Sequence, residues 1–81
     1  MSSSWTWTNQ EYRNANHTIC LEPCGMALEI PAGVHAKYTA SFSLPGEVGV
    51  EVDGTNITFF PEGTCQKYSI EIDSVVVYEF P

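Results

Sequence analysis

Apolar and polar side chains alternate through most of this chain. Between residues 37 and 44 every second side chain is apolar, and the side chains between them are polar or small. The same period of two recurs in residues 18–22, 26–30, 47–52 and 67–73. A period of two places alternate side chains on opposite faces of a strand, so that one face can be buried. One-sided burial is typical of antiparallel sheets, and the pattern therefore predicts an all-β fold.

Turn-forming residues separate these segments. Asp53-Gly54 predicts a two-residue type I′ hairpin, which requires positive φ at both central residues. Asp73-Ser74 predicts a tight connection into the last strand. Further turns are predicted at residues 31–33, 45–46 and 61–63, where Pro comes before Gly. This spacing predicts a small antiparallel β-sandwich or barrel of about seven short strands.

Helical periodicity is nearly absent. Residues 9–15 are compatible with one turn of helix, with Thr8 or Asn9 as its cap. Before them, Trp5 and Trp7 would share one face of a strand. A chain of 81 residues has the size of one domain. We therefore expect a single β domain over residues 1–81, in which residues 1–16 form an N-terminal strand or arm.

Two segments break the alternation. Phe59 and Phe60 are adjacent, and residues 75–78 are apolar throughout. A strand that is apolar on both faces is covered on both sides or contacts another chain. Because so short a chain has a small core, we predict a subunit interface for at least one segment, most simply in a homodimer. The interface candidates in the second segment are Val75, Val76, Val77 and Tyr78.

The charge balance excludes two classes of partner. Three basic residues face ten acidic ones, which gives a net charge of -7. Binding to nucleic acid requires clustered Lys and Arg, and so does attraction to an anionic membrane surface. The chain has no such cluster.

No apolar stretch approaches the roughly 20 residues of a membrane span, and the N-terminus lacks the features of a signal peptide. With an odd number of cysteines, three, we predict a cytoplasmic protein.

A metal site is one possible use of the cysteines and histidines. His17, Cys20 and Cys24 lie close together in the sequence, and His35 or Cys65 could complete four nitrogen and sulfur ligands. Zn²⁺ prefers such a set. The alternative is that the cysteines are small, partly buried side chains with no ligand.

Four aromatic residues are candidates for a ligand site. Small β-barrels often bind ligands at one end, among aromatic side chains. Trp5, Trp7, Tyr12 and Tyr38 could line such a mouth, or they could belong to the core. The strand with Trp5 and Trp7 could also dock on another subunit.

Catalytic signatures are weak. A nucleophile would need an adjacent His and an orienting carboxylate, and no local motif supplies them. The pairs Glu51/Asp53 and Glu71/Asp73 could bind Ca²⁺ or transfer protons, but solvated outer faces of hairpins have the same pattern. The sequence thus predicts no catalytic residue and no resident cofactor.

One stretch resembles a known pattern. Residues 21–25 read L-E-P-C-G and residues 28–33 read L-E-I-P-A-G. They are similar to small uncharacterised bacterial proteins with L-E-P-W-G, a short strand and then P-P-G, over roughly residues 16–73. The chain departs from that pattern at Cys24 and Ala32.

The resemblance implies a cupin-like or jelly-roll-like barrel and no assigned chemistry. A cupin metal site would need two His separated by one residue on a strand, whereas His35 is alone. We therefore expect a non-catalytic, homo-oligomeric interaction or structural module. The alternative is a small-molecule or metal-binding cupin-like barrel.

Overall fold

The computed structural model describes residues 3–81 and contains eight strands and one 3₁₀ turn. Met1 and Ser2, part of the predicted N-terminal arm, lie outside the described residues. The 3₁₀ turn, Gln10–Tyr12, lies between the first two strands. The strands are β1 (Ser3–Thr8), β2 (His17–Leu21), β3 (Met26–Ile30), β4 (Ala36–Phe42), β5 (Val48–Asp53), β6 (Asn56–Pro61), β7 (Cys65–Ile72) and β8 (Val75–Phe80).

The strands form two four-stranded sheets that pack face to face. Sheet A has the order β1-β4-β7-β8, and sheet B has the order β3-β2-β6-β5. The prediction of a small all-β sandwich is confirmed, and the eighth strand, β1, is the predicted N-terminal strand that contains Trp5 and Trp7. The pairing is antiparallel except between β2 and β6, which are parallel. A parallel pair needs a long connection, and here the chain passes through β4 of the other sheet between them.

The core lies between the sheets and is centred on aromatic residues. Tyr38 from sheet A stacks on Phe59 from sheet B, with ring centroids 4.2 Å apart. Trp5 and Trp7 meet the Phe59 ring edge-on, at 6.1 and 5.0 Å. Apolar side chains from β2, β4, β6 and β7 surround these rings, because alternate residues of each strand face inward. The fully buried apolar residues are Ile19, Leu21, Tyr38, Ala40, Phe42, Ile57, Phe59 and Ile70.

The β5–β6 hairpin does not have the predicted turn type. Asp53 pairs with Asn56, so Gly54 and Thr55 are the central residues of the β5–β6 turn. Gly54 has φ of 63°, and Thr55 does not share this left-handed conformation, which is the pattern of a type II′ turn. The predicted type I′ turn at Asp53-Gly54 is therefore wrong by one residue.

The type I′ pattern occurs instead in the β7–β8 turn. Asp73 and Ser74 have φ of 48° and 71°, both left-handed. Neither residue is Gly, so the sequence did not predict the turn type.

Asn9 does not cap the 3₁₀ turn, which corrects the predicted role of this residue. Its side chain is buried and bonds to other parts of the chain instead. The amide nitrogen donates to the carbonyl of Val34, and the amide oxygen accepts from the backbone N–H of Ala36, both at 2.9 Å. The end of β1 is thereby joined to the segment that enters β4.

A β-bulge accounts for the lost alternation in β8. Ile72 pairs with Val75 and Ile70 pairs with Tyr78, and the register skips one residue between them. Val75 and Tyr78 therefore lie on the same face although they are three positions apart. The apolar run at residues 75–78 thus follows in part from the bulge.

Phe60 breaks alternation for a different reason. Phe59 is buried, whereas Phe60 lies on the outer face of sheet B, opposite Gly49. The glycine leaves space that the side chain of Phe60 partly covers.

No helix within residues 3–81 has the length and apolar character needed to span a membrane.

Candidate functional site

An exposed apolar edge is the most prominent surface feature of the sandwich. β8 has β7 on one side, and no other described strand pairs with its second side. Its valines Val75, Val76 and Val77 are 63%, 53% and 52% exposed, and Phe80 is 40% exposed. We call these four residues the β8 edge. An edge strand presents unpaired backbone N–H and C=O groups, so this edge combines hydrogen-bonding capacity with apolar side chains.

The β8 edge is free of uncompensated charge in a strongly acidic chain. Residues 75–78 carry no charge. Glu79, the one charged residue of β8, lies with a carboxylate oxygen 3.5 Å from Nζ of Lys67 on β7. Like-charge repulsion between two copies of this protein is therefore small along this strand.

An apolar groove continues the β8 edge across the open side of the sandwich. It has a volume of about 310 Å³ and lies between β3 and β8. Leu28, Glu29 and Ile30 line it from β3, Pro31 and Val34 from the following loop, and Ile72 and Val77 from the β7–β8 hairpin. We call it the β3–β8 groove. It adds apolar surface between the two sheets to that of the strand edge.

The opposite side of the sandwich is more polar. There, Val50 and Val52 of β5 are 42% and 49% exposed, but Glu51 and Asp53 carry charge within the same strand. The outward residues of β1 are Ser4, Thr6 and Thr8. Charged and polar residues protect edge strands from pairing with other chains, and residues 75–77 of β8 include none of them.

His17, the first predicted metal ligand, has both ring nitrogens engaged. It is 3% exposed, and its Nδ1 lies 3.0 Å from the carbonyl of Ala15. Its Nε2 lies 3.2 Å from the side-chain nitrogen of Asn9. A carbonyl accepts and an amide nitrogen donates, so Nδ1 carries the proton and Nε2 is the acceptor. Neither nitrogen is free to bind a metal.

The other predicted ligands lie apart. Cys20 is on β2 between inward-facing residues and is half-buried on the outer face of sheet B. His35 lies just before β4, whereas Cys65 pairs with Phe42 at the far end of that strand. Within residues 3–81, no three His, Cys, Asp or Glu side chains are grouped to hold a metal ion.

Cys24 belongs to a cluster of thiol and phenol groups at one end of the sandwich. Its thiol donates to the carbonyl of Leu21 at 3.5 Å, and the hydroxyl of Tyr78 donates to its Sγ at 3.4 Å. The hydroxyl of Tyr68 also lies near this sulfur, and it has no hydrogen-bond partner among the described residues. We call Cys24, Tyr68 and Tyr78 the thiol–tyrosine cluster.

The cluster favours the thiolate form of Cys24. Burial raises the pKa of the Cys24 thiol, but the hydroxyls of Tyr68 and Tyr78 and the nearby backbone amides lower it. The net pKa lies below the ordinary value of 9.0. Cys65 differs, because burial raises the pKa of its thiol more than the backbone hydrogen bond from Lys67 lowers it.

Two buried tyrosine hydroxyls, one within this cluster and one beside it, lack hydrogen bonds. The hydroxyls of Tyr38 and Tyr68 have no partner among the described residues, and the two rings lie 6.0 Å apart. Burial raises the pKa of both phenols, and the neighbouring thiols add to this effect. This end of the sandwich therefore holds unused hydrogen-bonding capacity next to Cys24.

The aromatic residues proposed for a ligand mouth lie against one another. Trp5 packs on Tyr38 at 5.9 Å, and Trp7 lies 6.2 Å from Tyr12. Tyr38 is fully buried, and the other three are partly buried against the core. They form a continuous aromatic layer, with Tyr12 also 6.0 Å from His17.

Sequence reasoning identified β8 but missed the residues around it. Leu28 and Ile72 are part of the alternating pattern, which does not show that they flank one groove. Tyr78 and Cys24 are 54 positions apart, so their contact left no local signal.

In comparisons with known proteins, the chain matches no family, no curated protein and no solved structure.

Proposed function

We propose that this protein is a non-catalytic, self-associating β-sandwich module that dimerises through the β8 edge. The observation that carries the proposal is the run of three exposed valines on an edge strand whose one charged residue, Glu79, is paired with Lys67 of the same sheet. Monomeric proteins rarely leave such a strand uncovered, because it can pair with other chains.

A second copy of the same chain is the partner that fits this edge. Two copies of β8 can pair antiparallel across a two-fold axis, since an isologous interface uses the same surface on both subunits. The pairing would join two four-stranded sheets into one sheet of eight strands. The uncharged residues 75–78 would then lie at the axis, where charges of the same sign would otherwise face each other.

The β3–β8 groove extends the contact. A stable interface buries about 800 Å² on each partner, which here is a sizeable part of the 4881 Å² of exposed surface. One strand edge alone is a narrow contact. Side chains of the partner that cover Leu28, Val34 and Ile72 would add the apolar area that a dimer needs.

The metal-binding alternative has less support. Both nitrogens of His17 are engaged within the protein, and His35 and Cys65 lie at opposite ends of β4. No observation on the described residues favours a cupin-type site. Residence in the cytoplasm remains a prediction.

Sedimentation velocity at tens of micromolar tests the proposal. We expect wild-type protein to sediment as a dimer and Val77→Lys as a monomer, because the lysine places a charge in the groove. Val52→Lys is the matched control, since Val52 is similarly exposed but lies on the opposite side of the sandwich. It should remain a dimer.

Two results would contradict the proposal. A wild-type monomer over this concentration range would remove self-association altogether. A dimer that Val77→Lys leaves intact and Val52→Lys disrupts would place the interface on the β1–β5 side. Circular dichroism of both variants shows whether each is folded.

A further inference from the structure

The thiol–tyrosine cluster shares Tyr78 with the β8 strand of the proposed interface, and it also has the features of a reactive site. Cys24 is half-buried, so reagents can reach it, and its Sγ accepts a hydrogen bond from the Tyr78 hydroxyl at 3.4 Å. A bond donated to sulfur stabilises a thiolate more than a thiol. A thiolate is the nucleophilic form of cysteine.

The hydroxyl of Tyr68 supplies a second, independent feature. Tyr68 is 3% exposed, and its hydroxyl lies beside Cys24 without a hydrogen-bond partner among the described residues. A buried hydroxyl without a partner loses free energy that a suitable ligand can restore. A negatively charged sulfur at Cys24 is an acceptor for this hydroxyl.

The three cysteines of the chain differ in surroundings. Cys24 and Cys65 each donate to a backbone carbonyl, that of Leu21 and that of Lys67, but among the described residues Cys24 alone also accepts a bond from a tyrosine hydroxyl. Cys20 lies on the outer face of sheet B and has no phenol among its hydrogen-bond partners in the described structure. The pair of tyrosine hydroxyls is therefore specific to Cys24.

We propose that Cys24 is a reactive thiol at which the protein forms a mixed disulfide with a small disulfide compound. The Cys24 thiolate attacks one sulfur of the compound R–S–S–R, and the S–S bond of the compound breaks. A new bond forms between Cys24 Sγ and one sulfur, and the other half leaves as a thiolate. The proton lost from Cys24 is recovered by that leaving thiolate through water. The exchange needs no further oxidant.

The hydroxyls of Tyr78 and Tyr68 act on the Cys24 sulfur in different ways. Tyr78 donates to Sγ of Cys24 before the attack and holds it as thiolate. The free hydroxyl of Tyr68 can donate to the same sulfur. Both are positioning residues, because neither forms a bond to the reacting compound.

The test compares cysteines within one protein. Trypsin cleaves after Arg13, Lys37 and Lys67, so Cys20 and Cys24 share the peptide of residues 14–37 and Cys65 lies in residues 38–67. A Cys20→Ser background makes each peptide report on one thiol. Oxidised glutathione is the probe for disulfide exchange, and iodoacetamide measures thiolate reactivity across pH, both read by mass spectrometry.

We expect Cys24 to be modified about fivefold faster than Cys65 at pH 7, because the rate follows the thiolate fraction. Tyr78→Phe and Tyr68→Phe should each slow Cys24 and move its alkylation profile to higher pH. Tyr12→Phe is the control, since Tyr12 lies among the aromatic residues near His17, and it should leave the profile unchanged.

Equal rates at Cys24 and Cys65 would overturn the proposal. A Cys24 profile that neither tyrosine substitution moves would also overturn it, because the hydroxyls would then have no effect on the sulfur. Unfolding of the variants, followed by circular dichroism, separates a lost hydroxyl from a lost fold. The outcome is independent of the dimer, because monomeric Val77→Lys protein can be tested in the same way.

Discussion

At the residue scale, the core contains one buried polar side chain whose hydrogen bonds are satisfied and another whose hydroxyl has no partner among the described residues. Asn9 uses both ends of its side-chain amide, through bonds to Val34, Ala36 and His17. The hydroxyl of Tyr38 is buried without a partner among the described residues. A satisfied buried group stabilises the fold, whereas an unsatisfied one costs free energy. The two residues therefore respond to truncation in opposite directions.

Asn9→Ala should lower the free energy of unfolding by about 3 kcal/mol, since it leaves the N–H of Ala36 and the Nε2 of His17 without their partner. Urea denaturation followed by tryptophan fluorescence measures this change. Asn14→Ala is the control, because Asn14 is exposed, and it should change stability little. Equal stability of wild type and Asn9→Ala would show that the bonds of Asn9 contribute nothing.

Tyr38→Phe should leave stability at neutral pH unchanged or higher, and it should reduce the loss of stability at alkaline pH. Burial raises the pKa of Tyr38 and of Tyr68 in the folded protein above the ordinary 10.0. The unfolded chain therefore releases these protons first as pH rises. Stability present below pH 10 is lost above it, by about 1.4 kcal/mol per pH unit for each phenol.

Urea titrations at a series of alkaline pH values give this slope for wild type and Tyr38→Phe. The variant should have the shallower slope because one of the two buried phenols is gone. An identical slope in both proteins would mean that Tyr38 ionises as freely in the folded as in the unfolded protein.

At the scale of elements, alternation predicted most strands but not their neighbours. Residues such as Tyr38 and Ile70 face the core as their period of two requires. The bulge in β8 was invisible, since an extra residue in one strand shows only against its partner. The sequence predicted a turn at both hairpins, but the type I′ turn predicted at Asp53-Gly54 was wrong, and Asp73 and Ser74 adopt positive φ without glycine. The candidate site was predictable only as far as β8 itself.

The β7–β8 hairpin offers a stability test of this turn geometry. Ser74 has φ of 71°, so Ser74→Gly should relieve strain and raise the free energy of unfolding by about 0.5 kcal/mol. Gly54→Ala is its counterpart in the β5–β6 turn. Gly54 has φ of 63° with open space around it, so the substitution should cost about 1 kcal/mol through backbone conformation alone. Thermal denaturation of both variants measures the pair, and effects of the same sign would contradict the assigned turns.

At the scale of the whole molecule, the sandwich has two unlike sides. One side, between β1 and β5, carries polar and charged side chains around Trp7 and Tyr12. The other side carries the β8 edge and the β3–β8 groove, in whose lining Glu29 is the one charged residue. The acidic chain, with its net charge of -7, resists association elsewhere on its surface. The asymmetry supports a dimer built on the β8 side.

Hydrogen–deuterium exchange of the wild-type protein, measured at high and low concentration, tests the dimer at β8 most directly. Pairing between two copies of β8 would occupy backbone N–H groups that otherwise face solvent. We predict that exchange within Val75–Phe80 slows as the concentration rises, while exchange within Val48–Asp53 of β5 stays the same. Exchange in β8 that is independent of concentration, or protection gained in β5 instead, would contradict an interface at the β8 edge.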